Sequence, residues 1–152
     1  MSVVNSPQES FGWRGWVEAR ALGKVVRMSY EIDMDKEYDF LHVRVRGVRT
    51  RENVSAMARD ILDACLEHRC AKVLIDVRAL EGWLSTLEAY DVPSTNFSDL
   101  RGRGLQKAAI VDRERPGETH RFFETVARNR GFNVRIFENT DRAVEWLREK
   151  GR

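Results

Sequence analysis

The chain has 152 residues, 42% hydrophobic and 33% charged, with 26 Lys and Arg against 24 Asp and Glu for a net charge of +2. That length suits one domain, the mixture suits a water-soluble globule, and the near balance of charge excludes an overall cationic footprint for nucleic acid. No apolar run approaches the roughly 18 residues of a membrane helix, and Glu9 ahead of the first aromatic residues departs from a secretion signal, so a cytoplasmic location is expected.

Residues 1–27 read as an N-terminal aromatic extension. Ser, Pro, Gln and Gly surround Phe11, Trp13, Trp16 and Val17 without strand alternation. Three large rings left in water are unfavourable, so the segment is expected to dock on its own domain or on a second copy, with Trp13 and Trp16 as contacts. A surface membrane anchor is a third reading, weakened by Gly12 and Gly15 in the helix that would present the two tryptophans.

The domain proper is expected over 28–152. Met28, Tyr30, Ile32 and Met34 alternate with polar residues, as do Leu41, Val43 and Val45 with His42, Arg44 and Arg46, and a short turn between the two runs predicts an antiparallel hairpin. Thr50 can cap a helix whose Val54, Met57, Ala58, Ile61, Leu62 and Cys65 share one face. Cys65 and Cys70 lie about 140° apart around that helix, which argues against a disulfide or a metal pair.

Val73 to Val77 is nearly all apolar, the signature of an interior strand. After Gly82 and Trp83, Ser85 and Glu88 have capping-box spacing for a short helix, interrupted at Pro93. Then follow the strand Ala108 to Val111, a helix carrying Phe122, Phe123, Val126 and Ala127, the strand Val134 to Phe137, and a closing helix through Ala143, Val144 and Leu147, capped by Asn139 or Thr140. Strands alternating with helices build a parallel sheet. The expectation is an α/β fold with a mixed five-stranded sheet, an antiparallel hairpin strand first and parallel βα units after it.

Several segments resemble a known family: Tyr30-Glu31-Ile32-Asp33, the run Val73 to Gly82, the run Arg121 to Gly131, and Ala143-Val144-Glu145-Trp146-Leu147. Together they look like the bacterial STAS-like group, relatives of the anti-sigma-factor antagonist SpoIIAA. The resemblance implies a non-enzymatic regulatory module that binds a partner protein. It also implies that a serine at the start of the helix after the central strand can be phosphorylated. Ser85 falls near that place, although Leu84, Thr86 and Leu87 flank it where antagonists carry Asp, a small residue and Gly. Helix capping is the other reading of Ser85.

Ligands on open parallel sheets sit beyond the carboxyl ends of strands, which singles out Asp76, Arg78, Trp83, Asp112 and Arg113 as a candidate cleft for a small molecule or lipid. The other reading of these residues is mutual pairing. His42, His68 and His120 fall on separate elements and read as isolated. The sequence has no nucleophile elbow, zinc-protease motif or phosphate loop, so no catalytic residue, metal or cofactor is expected. Arg44, Arg46, Arg49 and Arg51 are interspersed with acidic residues and read as solvated surface, so a nucleic-acid partner is not expected. If the helices all lie on one side, the sheet face with His42, Arg44, Arg46 and Arg135 stays open for a protein partner or a homodimer.

Overall fold

The computed structural model describes residues 21–37, 39–85, 105–113 and 118–149. Its elements in chain order are β1 (Ala21–Val26), β2 (Tyr30–Glu37), β3 (Phe40–Val48), α1 (Arg51–Glu67), β4 (Lys72–Glu81), β5 (Lys107–Val111), α2 (Glu118–Asn129), β6 (Val134–Phe137) and α3 (Thr140–Arg148). They form one six-stranded sheet in the order β1-β2-β3-β4-β5-β6. The first two pairings are antiparallel and the remaining three parallel.

The sheet therefore has six strands where five were expected. The additional one is β1, from residues assigned to the extension: Gly23 and Lys24 break its apolar pattern, and it pairs with β2 through a register shift between Ala21 and Gly23. Met28, expected in the next strand, lies in the turn between β1 and β2 and is fully exposed. Trp13, Trp16 and the proposed helix beyond Ser85 fall outside the described residues.

Two cores sandwich the sheet. On one side α1 and α2 bring Met57, Ile61, Cys65 and Ala127 onto Ile32, Leu41, Val43, Val73 and Ala108. On the other, α3 lays Ala143, Trp146 and Leu147 over Phe40, Leu74, Ala109 and Val111. Successive residues of a strand face opposite sides, so Phe40 and Leu41 serve different cores. The helices are thus not one-sided: α3 closes the face beside β4 to β6, and among the described residues nothing covers the charged strip of β2 and β3.

Local chemistry fixes the ends. Thr50 accepts from the Asn53 amide at the start of α1, and Asn139 accepts from that of Arg142 at the start of α3. Lys107, buried beneath α3, donates to the carbonyls of Trp146 (2.6 Å) and Glu149 (3.0 Å) at the carboxyl end of the helix, where few carbonyls have intrahelical donors. Arg27 and Tyr30 both donate to Asp60, tying the β1–β2 turn to α1. Gly47, at φ +141°, crosses the same turn so closely that a Cβ there would stand 2.4 Å from the Ser29 carbonyl oxygen.

Candidate ligand site at the carboxyl end of the sheet

The period of a strand decides which residues meet. On β3, Leu41, Val43 and Val45 face the α1 side, and continuing that parity puts Arg49 there too. On β5, Lys107, Ala109 and Val111 belong to the α3 side, which leaves Ala108, Ile110 and then Asp112 on the α1 side. Arg49 and Asp112 consequently meet just beyond the strands, over a cavity of about 170 Å³ between the sheet, α1 and α2. Met57, Ile61, Ile75, Ile110 and Phe123 supply apolar wall, while Arg49, Asp112, His120 and Trp83 line the polar end.

Asp112 is 2% exposed and fully engaged. It accepts from Arg49 Nη1 at 2.8 Å and Nη2 at 3.0 Å, lies 3.2 Å from His120 Nε2, and accepts from the Arg113 amide at 2.8 Å. Burial alone would raise its pKa, but the hydrogen bonds of His120, Arg49 and the Arg113 amide, with the Arg49 charge, hold it down to about 2. Two guanidinium groups lie over the Trp83 ring, Arg49 at 4.6 Å and Arg113 at 4.8 Å from its centre. Arg113 also donates to the Leu80 carbonyl at 2.8 Å. Arg49 keeps only a tenth of its side chain exposed, and its Nε has no hydrogen-bond partner among the described residues.

Of the five residues expected to share one cleft, the structure brings Trp83, Asp112 and Arg113 together; Trp83 and Asp112 line the cavity, and Arg113 lies over Trp83 without lining it. Asp76 and Arg78 do not. Asp76 follows Leu74 in parity and faces the α3 side, where Arg78 grips it at 2.7 Å and also reaches the Thr140 hydroxyl. Burial would raise the Asp76 pKa, yet those hydrogen bonds keep it below the ordinary carboxylate range. Between the Arg44–Asp76 and Arg46–Ala79 pairings β4 carries one extra residue, a bulge, and this reverses the alternation so that Leu80 returns to the α1 core.

Arg49 and His120 were missed by the sequence reading. Arg49 stood in an arginine run taken as solvated surface, and His120 was read as isolated; testing the residue after β3 with the same strand-end rule would have found Arg49. His42 is not isolated either, since its Nδ1 lies 3.1 Å from Glu37 and 3.2 Å from Arg44. It borders the uncovered face, where Arg44 pairs with Asp35, and Glu31, Asp33, Arg44, Arg46, Asp76 and Arg78 line a shallow polar hollow. Ser85 is exposed two residues beyond Trp83. Cys65 and Cys70 are buried free thiols, and burial pushes the pKa of Cys65 up to about 12.

A sequence profile of the SpoIIAA-like family matches residues 40–148, which takes in β3 and every element after it. The chain belongs to the SpoIIAA-like family. Among solved structures it is similar to an anti-sigma factor antagonist from Mycobacterium paratuberculosis, with 16% identity over 82% of this chain and 99% of the other and a TM-score of 0.52. It is also similar to an uncharacterised protein with a SpoIIAA-like fold from Shewanella loihica, with 23% identity, 88% and 99% coverage and a TM-score of 0.49. No curated protein matches the sequence. Among the described residues no helix is long and apolar enough to cross a membrane, and no cluster of acidic, His and Cys side chains could hold a metal.

Proposed function

We propose that this SpoIIAA-like protein is a non-enzymatic regulatory module that binds a protein partner through the uncovered strip of its sheet. The observation that carries this reading is the incomplete cover of one face among the described residues: α3 packs over Leu74, Ala109 and Val111 but leaves Arg44, Arg46 and their acidic neighbours on β2 at the surface. A flat, alternately charged strip can match a partner's charges and reject a mismatch. The antagonist with the same fold acts, by its name, on an anti-sigma factor, a protein partner. The state of the candidate acid-base group supports a non-catalytic role, because an ionised Asp112 held by four hydrogen bonds is a poor proton carrier at neutral pH.

The test is affinity capture with the full chain and an Arg44→Glu/Arg46→Glu variant. Expected is a stoichiometric partner that the wild type retains and the variant loses; equal retention overturns the reading. Ser85 stays the candidate phospho-acceptor, with Ser85→Asp expected to reduce capture. Trp13 and Trp16 are proposed to cover part of the strip, in cis or from a second subunit. Deleting residues 1–20, which leaves β1 in place, should then change solution mass or thermal stability.

A second reading, a small-molecule-binding module, is favoured by the cavity beneath Trp83 and its largely apolar walls. The two readings use opposite faces of the sheet.

A further inference from the structure

The register of the strands arranges the charges of the uncovered face in rows. Strand alternation turns Glu31 and Asp33 of β2 and Arg44 and Arg46 of β3 to that face, while Ile32, Met34, Val43 and Val45 go to the α1 core. Pairing across the sheet then sets Lys24, Asp33, Arg44 and Asp76 side by side on β1 to β4, a row of alternating sign that begins positive and ends negative. The next row is Val26, Glu31, Arg46 and Ala79: apolar, negative, positive, apolar.

Both rows are antisymmetric about the line between β2 and β3, because reading either one backwards inverts every sign in it. A twofold axis along that line, in the plane of contact, carries β2 of one copy over β3 of the other and β1 over β4. Lys24 of one copy then faces Asp76 of the other, Asp33 faces Arg44, Glu31 faces Arg46, and Val26 faces Ala79. An axis perpendicular to the strands would instead set carboxylate on carboxylate. An isologous contact requires a surface complementary to itself, a condition that an unrelated partner does not impose.

Three further features fit this contact. The side chains of Asp33 and Arg46 have no ion-pair or hydrogen-bond partner among the described residues, whereas Arg44 is paired with Asp35 and Arg78 with Asp76. Val26 and Val48 are 66% and 46% exposed, and alternation puts both on this face, so the contact removes apolar area from water. α3 rises on the same side over β4 to β6, and the docked sheet, whose edge strand is β1, ends beside it.

Resting on the reading that this strip binds a protein, we infer that its partner is a second copy of the chain, docked face to face about that axis. Four strands at about 4.8 Å and some eight residues at about 3.3 Å give roughly 500 Å² per copy, the size of a transient interface. The dimer is therefore weak, reversible and sensitive to salt.

The experiment is sedimentation equilibrium of the full chain at low salt, with the protein raised to about 1 mM. Expected is a mass that climbs from 17.7 kDa toward twice that value and falls back in about 1 M salt, where the screening length is about 3 Å. Glu31→Lys and Arg46→Glu should each weaken association at least about tenfold by setting like charges face to face. Mixing the two variants should restore it, because each altered residue then meets an opposite charge, and Glu31→Lys/Arg46→Glu in one chain should dimerise like the wild type. A chain that stays monomeric throughout, or a dimer indifferent to the reversals and to their mixing, would overturn the second copy as partner. Should such a chain still retain another protein in affinity capture and lose it on Arg44→Glu/Arg46→Glu, the strip stays a protein-binding surface. Failure of both assays would overturn the strip reading itself.

Discussion

Replacing Asp112 by Asn removes the charge that Arg49 answers while keeping the shape of the side chain. Breaking a buried pair in this way leaves the remaining charge uncompensated, and the variant is expected to lose about 3 kcal/mol or more at neutral pH. A separate, pH-dependent part follows from the Asp112 pKa, which lies at about 2 in the fold against an ordinary 3.8. That difference corresponds to about 2 kcal/mol. Because the folded value is the lower one, the unfolded chain takes up the proton first as pH falls. The stabilisation is complete above about pH 4, roughly half lost near pH 3, and gone below about pH 2. Urea unfolding of wild type and Asp112→Asn at a series of pH values should show the stability gap narrowing by about 2 kcal/mol across that range. Other carboxylates, Asp39 and Asp76 among them, also have depressed pKa values and titrate in both proteins, so the narrowing of the gap is the quantity to read. A gap that stays constant down to about pH 2 would refute the claim that Arg49 and His120 hold this carboxylate ionised.

Lys107→Met should cost about 1–3 kcal/mol, seen as a lower Tm, because the Trp146 and Glu149 carbonyls lose a charged donor beneath α3. Gly47→Ala should destabilise by well over the ~1 kcal/mol of a purely conformational glycine replacement, since its Cβ would strike the Ser29 carbonyl. Gly82→Ala, where the nearest atom stands 3.9 Å away, gives the conformational cost alone and serves as the comparison. The Cys65 thiol should resist alkylation in the folded protein at pH 8 and react when urea unfolds it, as mass spectrometry of the modified peptide can show.

The parallel part of the sheet could be read from the chain because its signals are local. Val73 to Val77 and Ala108 to Val111 are short apolar runs, and the helices before and after them have apolar residues at helical spacing with caps at Thr50 and Asn139. β1 was hidden because Gly23 and Lys24 break its apolar pattern and its pairing with β2 is irregular. The placement of α3 on the second face was also written in the residues, in Phe40, Leu74, Ala109 and Val111, but only once strand parity is compared across neighbouring strands. The same omission split the candidate cleft. Nearness to strand ends put Asp76 and Asp112 together, and alternation put them on opposite faces. Arg49 escaped notice because an arginine amid charged neighbours looks solvated until the partner carboxylate, 63 residues further on, is brought beside it.

β3 supplies residues to both surfaces of the molecule. Arg44 and Arg46 stand on its outer side, and Arg49, one residue past its end, reaches inward to the cavity. The strand is flanked by partners along its length, β2 on one edge and β4 on the other, and Gly47 locks it against the Ser29–Tyr30 corner. A guest that tugged on Arg49 would therefore pull on a taut backbone whose next outward-facing guanidinium is only three positions away, so occupancy inside has a short mechanical path to the charges displayed outside.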